Sequence, residues 1–295
     1  MHSSLDCIPC FIRQALEAAR FITDDPAVHE QAIRAVLRMA AEMDLSQSPP
    51  WMGQMIHRHL RQITAAEDPY RAAKDRFNQL ALLMLPDLRK KVEAEPDRLL
   101  LAARLAIASN VIDFAVNGSL LEEKVRKGME QTIQKPIRGN IDAFRQAIAE
   151  AEKILYLADN AGEIVFDRLL IEQLPRERVT LAVRGAPVIN DATQRDAKTA
   201  GLHDLVEVID NGSDAPGTIL TDCSPAFQRQ FNQADLIIAK GQGNFETLSD
   251  VPANIFFLFK VKCPVIARQI GAEIGSLILR QNRILETVRT EEDGA

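Results

Sequence analysis

The sequence predicts an α/β fold, with an N-terminal helical bundle packed on a doubly wound, mostly parallel α/β/α sandwich. Up to about residue 150, apolar residues recur at spacings of three and four, the period of amphipathic helices. Beyond it, short and largely apolar runs alternate with helix-length segments, as in a parallel sheet covered on both faces. Four of those runs end on clusters of Gly, Asp, Asn, Arg or Lys, and open parallel sheets bind ligands beyond the carboxyl ends of their strands. The chain divides on this basis into a helical domain, 1–145, and an α/β domain, 146–295.

Taken in order, the helical segments are CFIRQALEAARFI (10–22), HEQAIRAVLRMAAEM (29–43), GQMIHRHLRQI (53–63), YRAAKDRFNQLALLML (70–85) and DRLLLAARLAIASNVIDFAV (97–116). Prolines in SQSPPW and AEDPY, with Pro86 and Pro96, mark the breaks between them. The predicted strands are KILYLA (153–158), RVTLAV (178–183), LVEVID (205–210), DLIIAK (235–240), NIFFLFK (254–260) and CPVIA (263–267), with TVRTEEDGA as a polar tail. His57 and His59, two apart on a helix, diverge by about 200° and are read as surface or packing residues. Trp51 is read as a packing anchor between domains.

Composition narrows the function classes. The chain has 46% apolar and 26% charged residues over 295 positions, which is the balance of a globular protein with a real core. A net charge of −6 supplies no global attraction to nucleic acid or to an acidic membrane, so neither is expected as a partner. No run has the length of a transmembrane span, and MHSSLDCIPC lacks a signal-peptide pattern, so a cytoplasmic location is expected. Four cysteines are too few for a disulfide framework.

The strand ends carry the chemistry. After the first run stands Asp159-Asn160-Ala161-Gly162-Glu163, and after the second Arg184-Gly185-Ala186-Pro187 with Asn190-Asp191 shortly beyond. After the third stands DNGSDAPGT, containing Ser213, and after the fourth KGQGNFETL, from Lys240 to Leu248. Asn160-x-x-Glu163 and Asp191-x-x-Gln194 also fit helix capping boxes, the latter with Gly201 as its stop. Capping leaves Asp159 without a structural duty. Asp159, the Asn160 side-chain oxygen and Asp191 form a hard-oxygen set suited to Mg²⁺ or Mn²⁺. The glycine-bearing loops, with Lys240, suit a phosphate group. Lys260 and Lys262 lie on one face at the end of an apolar run, with Lys262 nearer the mouth. The established nucleotide fingerprints are absent, since GQGNFE lacks the last glycine of GxGxxG and no GxxxxGK[ST] occurs.

In order, DCIPC, DPYRAAKDRFNQLAL, ASNVIDF, LADNAGEIVFD, VRGAPVINDAT, DNGSDAPGT and IAKGQGNFETL resemble, over nearly the whole chain, the metal-dependent damage-control phosphatases (domain of unknown function 89, DUF89; ARMT1-like). The chain looks like the stand-alone microbial subfamily with an N-terminal CxxC. The resemblance implies a divalent metal (Mg, Mn, Co or Ni) and a small phosphorylated metabolite, a sugar phosphate or damaged cofactor, as substrate. It places the metal ligands on Asp159, Asn160 and Asp191, and the substrate loop on Gly241 to Glu246, which includes Gly243 and Asn244. It places a distal phosphate-binding lysine on Lys262, although the Arg-Thr-x-Lys of the eukaryotic branch reads Phe259-Lys260-Val261-Lys262 here. Asn110 and Asp113 match as cleft residues from the helical domain, and Arg184 and Ser213 stand with the phosphate-binding loops.

The expected mechanism is attack by a metal-activated water, with Lys240 and Lys262 neutralising charge and Asp159, Asp191 or Glu163 accepting the proton. Two rivals are an S-adenosylmethionine-dependent methyltransferase and a non-catalytic sugar-phosphate sensor. The first would need a glycine-rich loop where this chain has Asp-Asn-Ala-Gly-Glu, and the second has little use for Asp159, Asn160 and Asp191 together. Cys7 and Cys10 fit core packing in the first helix or an accessory metal or regulatory role.

Overall fold

The structure, a computed structural model, describes residues 1–109 and 120–282. Helices α1 (Cys7–Ile22), α2 (Pro26–Glu42) and α3 (Pro49–Thr64) enclose a small core in which Phe11, Val36, Met52, Ile56 and Leu60 are buried, with Trp51 packed at its edge. Cys7 is buried there, whereas Cys10 is exposed. His57 is buried edge-on against Tyr70, and burial pulls its imidazole down to about 4.

Helices α4 (Arg71–Ala94) and α5 (Arg98–Ala108) follow, then α6 (Leu120–Ile133). The predicted break at Pro86 does not occur, because this proline lies inside α4. Pro86 is exposed while Leu85 and Leu88 on either side are buried, so packing on both sides of the proline holds the helix together across the missing hydrogen bond.

The sheet begins before residue 146: β1 (Ile137–Gly139) precedes α7 (Ile141–Glu150), within which the sequence-based boundary falls. The chain continues through β2 (Ile154–Leu157), α8 (Glu163–Ile171), β3 (Val179–Val183), α9 (Gln194–Thr199), β4 (Glu207–Asp210) and α10 (Pro225–Gln233). It ends through β5 (Leu236–Lys240), α11 (Gln242–Leu248), β6 (Ile255–Lys260), α12 (Pro264–Ile270) and β7 (Leu277–Gln281). CPVIA is therefore the start of a helix rather than a strand. Pro264 sits in its first turn, where a missing N–H costs nothing and the fixed φ favours helix.

The sheet order is β1-β7-β6-β5-β2-β3-β4, parallel throughout except where β7 runs antiparallel to β6. Alternate residues feed two layers. Ile154, Tyr156, Leu181, Ile238 and Leu258 face α4, α5, α7 and α8 in one continuous core. Leu155, Leu157, Ile237, Phe257 and Phe259 face α10, α11 and α12. Each fully buried large side chain of this kind contributes about 1.5–3 kcal/mol. The order also locates the functional end: from β2 the chain winds outward through β3 and β4, then returns to β5 on the other side of β2. The crevice beyond β2 and β5 is thus a topological switch point, where doubly wound sheets hold their ligands.

Candidate active site

At that switch point β2 runs into Asp159-Asn160. The segment does not cap a helix. It pairs with the loop after β3 in an antiparallel bridge between Asn160 and Asp191, fixed by Ala161 N–H to Asn190 O (2.8 Å) and Ala192 N–H to Asp159 O (2.8 Å). Both proposed capping boxes are displaced. Gly162 stands at the N-cap of α8, and Thr193 with Asp196 forms the box of α9, although Gly201 does close that helix at φ 69°. Two loops that each looked like a cap are instead stitched together, which brings Asp159, Asn160 and Asp191 to one mouth.

All three are buried there. Arg184 Nε donates to Asp191 Oδ2 at 2.6 Å, and its other nitrogens reach towards Thr218 and Asn244. Asn160 turns its amide nitrogen to Asp159 Oδ2 (2.8 Å) and Glu163 Oε1 (2.7 Å), rather than offering its oxygen. Burial and the charge of Asp159 raise the proton affinity of both Glu163 and Asp191, against the opposing pull of Lys240 and Lys262 on one and Arg184 on the other. Asp167, one turn beyond Glu163, is raised by the same burial.

Lys240 does not enter the open mouth. Period-two alternation along β5 turns it to the α5 and α8 layer, where its ammonium, 1% exposed, donates to Ala106 O (2.7 Å) and Asp167 Oδ1 (2.5 Å). The next residue, Gly241, has φ 82°, and a Cβ there would stand 2.1 Å from Asp159 Oδ2, so only glycine lets the backbone pass this carboxylate. Gly243 is equally confined, since a Cβ would come 2.2 Å from Pro216 O. Asn244 is spent on internal bonds, donating to Lys240 O (2.7 Å) and Ala158 O (3.3 Å) and accepting from Thr218 Oγ1 (2.8 Å). Glu246 accepts from Gln242 Nε2 at 2.7 Å, and burial pushes it up to about 7. Ser213 donates to Asp222 Oδ2 at 2.5 Å, in a loop that α3 clamps through Gln54, Arg58 and Arg61 on Asp214. Lys262 is exposed at the rim, and its charge acts on both Glu163 and Glu246. Asn110 and Asp113 lie outside the described residues.

Sequence reasoning passed over Asp167, Lys74 and Asn78. Asp167 follows Glu163 by four residues on a helix whose remaining residues, Arg168 apart, are apolar. Lys74 and Asn78 likewise lie four apart on the stripe of α4 that buries Phe77 and Ala81. A polar pair inside an apolar stripe was the available signal.

Among the described residues, no three His, Cys, Asp or Glu side chains form a metal site by themselves. The donor set at the mouth is two carboxylates and a carboxamide. Burial raises the proton affinity of Glu163, Asp167, Asp191 and Glu246 around it, and a divalent cation bound there would favour their charged forms.

The sequence and fold find close counterparts. Residues 3–278 match the family model described as the damage-control phosphatase ARMT1-like domain. The chain is 36% identical over 290 residues to the damage-control phosphatase PH1575 of Pyrococcus horikoshii, covering 96% of this chain and 99% of that one. It is 34% identical over 281 residues to a damage-control phosphatase of Archaeoglobus fulgidus, covering 93% and 97%. The crystal structure of the DUF89 family protein from Pyrococcus horikoshii superposes with a TM-score of 0.88 at 34% identity, over 96% of this chain and all of that one. The chain belongs to the damage-control phosphatase ARMT1-like family.

Proposed function

We propose that this protein is a divalent-metal-dependent phosphatase of small phosphorylated metabolites, sugar phosphates or damaged cofactors among them. The observation that carries the reading is the buried convergence of Asp159, Asn160 and Asp191 at the sheet's switch point. The names of the two archaeal relatives support the phosphatase part of it.

Asp159 and Asp191 would hold the cation, with Asn160 as the third ligand once its amide turns its oxygen inward. A bound divalent cation supplies charge neutralisation for a phosphoryl group and lowers the pKa of water. The chain's own groups do the rest. Lys262 at the rim meets the anionic substrate. Glu163, whose burial gives it a raised proton affinity, takes the proton from the attacking water. The buried charge of Lys240 acts on Glu163 and balances its carboxylate after proton release. Arg184 holds Oδ2 of Asp191 and so fixes the direction of the carboxylate.

The test is phosphate release from a panel of sugar phosphates and p-nitrophenyl phosphate, in EDTA and with Mg²⁺, Mn²⁺, Co²⁺ or Ni²⁺. Release that requires a metal supports the proposal and begins to rank substrates. No release with any metal, from folded protein that nevertheless binds a sugar phosphate, contradicts it in favour of a sensor.

A further inference from the structure

We propose that Asn78, on α4 of the helical layer, is a positioning residue that holds the two acidic strand-end loops in register. The inference rests on the phosphatase reading of that mouth. Asn78 Oδ1 accepts the Gly162 N–H at 2.7 Å, and its Nδ2 donates to Asp196 Oδ1 at 2.9 Å. One amide thereby grips both loops: Gly162 lies two residues after Asn160, and Asp196 five residues after Asp191. The orientation of the amide is not free, because a backbone N–H only donates and a paired carboxylate accepts.

Asn78 is fully buried, so no bulk water substitutes for either bond. Its partners are themselves fixed. Asp196 Oδ2 accepts from Thr193 N (2.9 Å) and Oγ1 (2.7 Å), and the buried Lys74 ammonium lies 3.2 Å away. Gly162, at φ 79°, leads into α8 without a side-chain cap of its own, so its N–H depends on α4. The bridge between Asn160 and Asp191 resists separation of the loops, while Asn78 resists their sliding, which would offset Asp159 from Asp191. Side chains that orient ligands from behind govern metal affinity and rate in this manner.

Two variants test it: Asn78→Ala, and the charge-conserving exchange of Asn78→Asp with Asp196→Asn. The exchange returns an acceptor for Gly162, restores a donor–acceptor pair across to α9, and leaves an oxygen to cap Thr193. Each protein is assayed with p-nitrophenyl phosphate and Mn²⁺ for kcat and KM, with Mn²⁺ alone by calorimetry, by thermal melting, and by amide exchange at Gly162. For Asn78→Ala we expect kcat and Mn²⁺ affinity each lowered about ten- to a hundredfold, KM within about threefold, and faster exchange at Gly162. The exchange variant should recover most of both losses. If Asn78→Ala does not fold, Asn78→Asp alone replaces it, since it keeps the acceptor and loses the donor.

The proposal is overturned if folded Asn78→Ala keeps kcat and Mn²⁺ affinity while only its melting temperature falls, or if a stably folded exchange variant is no better than Asn78→Ala. Should the wild type neither bind Mn²⁺ nor turn over, the phosphatase reading fails instead. Gly162 exchange then decides the positioning contact by itself, faster exchange in Asn78→Ala upholding it and unchanged exchange overturning it.

Discussion

The two ends of the parallel sheet both carry charged residues, and they differ in what surrounds them. At the amino ends of β2, β3 and β4 lies a cavity of about 1040 Å³ lined by Glu152, Lys153, Arg176, Glu177, Arg178 and Glu207. Its ion pair between Arg178 and Glu177 spans 3.8 Å, with side chains 42% and 74% exposed. At the carboxyl ends, Arg184 meets Asp191 at 2.6 Å and Lys240 meets Asp167 at 2.5 Å, with no side chain among them more than 5% exposed. The first end is open to water, and physical chemistry favours the second. Water screens the charges of the cavity, whereas desolvation at the mouth leaves carboxylates with raised proton affinity. The comparison teaches that burial, rather than the presence of charge, separates the two ends.

That contrast can be broken most forcefully at Asp159. Asp159→Ala is expected to lower kcat by about a thousandfold at saturating Mn²⁺ while the protein still melts cooperatively, measured by phosphate release and calorimetry. Substantial residual turnover would move the centre of the site elsewhere. Next is Lys240→Met, which strands the buried Asp167 and Glu163 without their cation. Denaturant titration should show a loss of about 3–5 kcal/mol, far beyond that of a surface lysine.

A smaller effect is expected from pH. Folded Glu163, Asp191 and Glu246 all bind protons more tightly than the unfolded chain does. The stability they contribute is fully present below the ordinary carboxylate range and is lost as pH rises, for Glu246 between 4.5 and about 7. Asp196 and Asp214 shift the other way, so their contribution is already complete above the ordinary carboxylate range, while His57, pulled down to about 4, gains stability as pH rises towards 6.5 and offsets one of the three carboxylates. Metal-free protein in EDTA should therefore melt at lower temperature at the top of that window than at the bottom, and Glu246→Gln should flatten the slope. A melting temperature that rises across the window would contradict the account. The smallest effect belongs to the opposite end of the sheet: Glu177→Ala should leave activity unchanged and stability within about 0.5 kcal/mol.

Much of this site was legible because its elements are local. Runs such as KILYLA and DLIIAK give strands directly, and the residues after them give the mouth. Asp159 stood out because capping left it unused, and the bridge to Asp191 supplies the contact that spacing alone did not contain. The same local reading failed where a partner from another layer decides. Lys240 looked like a phosphate ligand until alternation along β5 turned it to Asp167. CPVIA looked like a strand until Pro264 opened a helix, β1 is too short to announce itself, and β7 is too mixed in composition. Asn78 is the limiting case, since its two partners lie 84 and 118 residues away in sequence.

The central claim is that a divalent cation belongs between Asp159 and Asp191. Anomalous diffraction from crystals of the protein grown with Mn²⁺ tests it most directly. The account predicts a dominant peak between those two carboxylates, absent from Asp159→Ala crystals grown alike. A dominant peak at the Cys7 and Cys10 turn or in the cavity at the opposite end of the sheet would contradict it, as would no peak at all from protein whose phosphate release requires Mn²⁺.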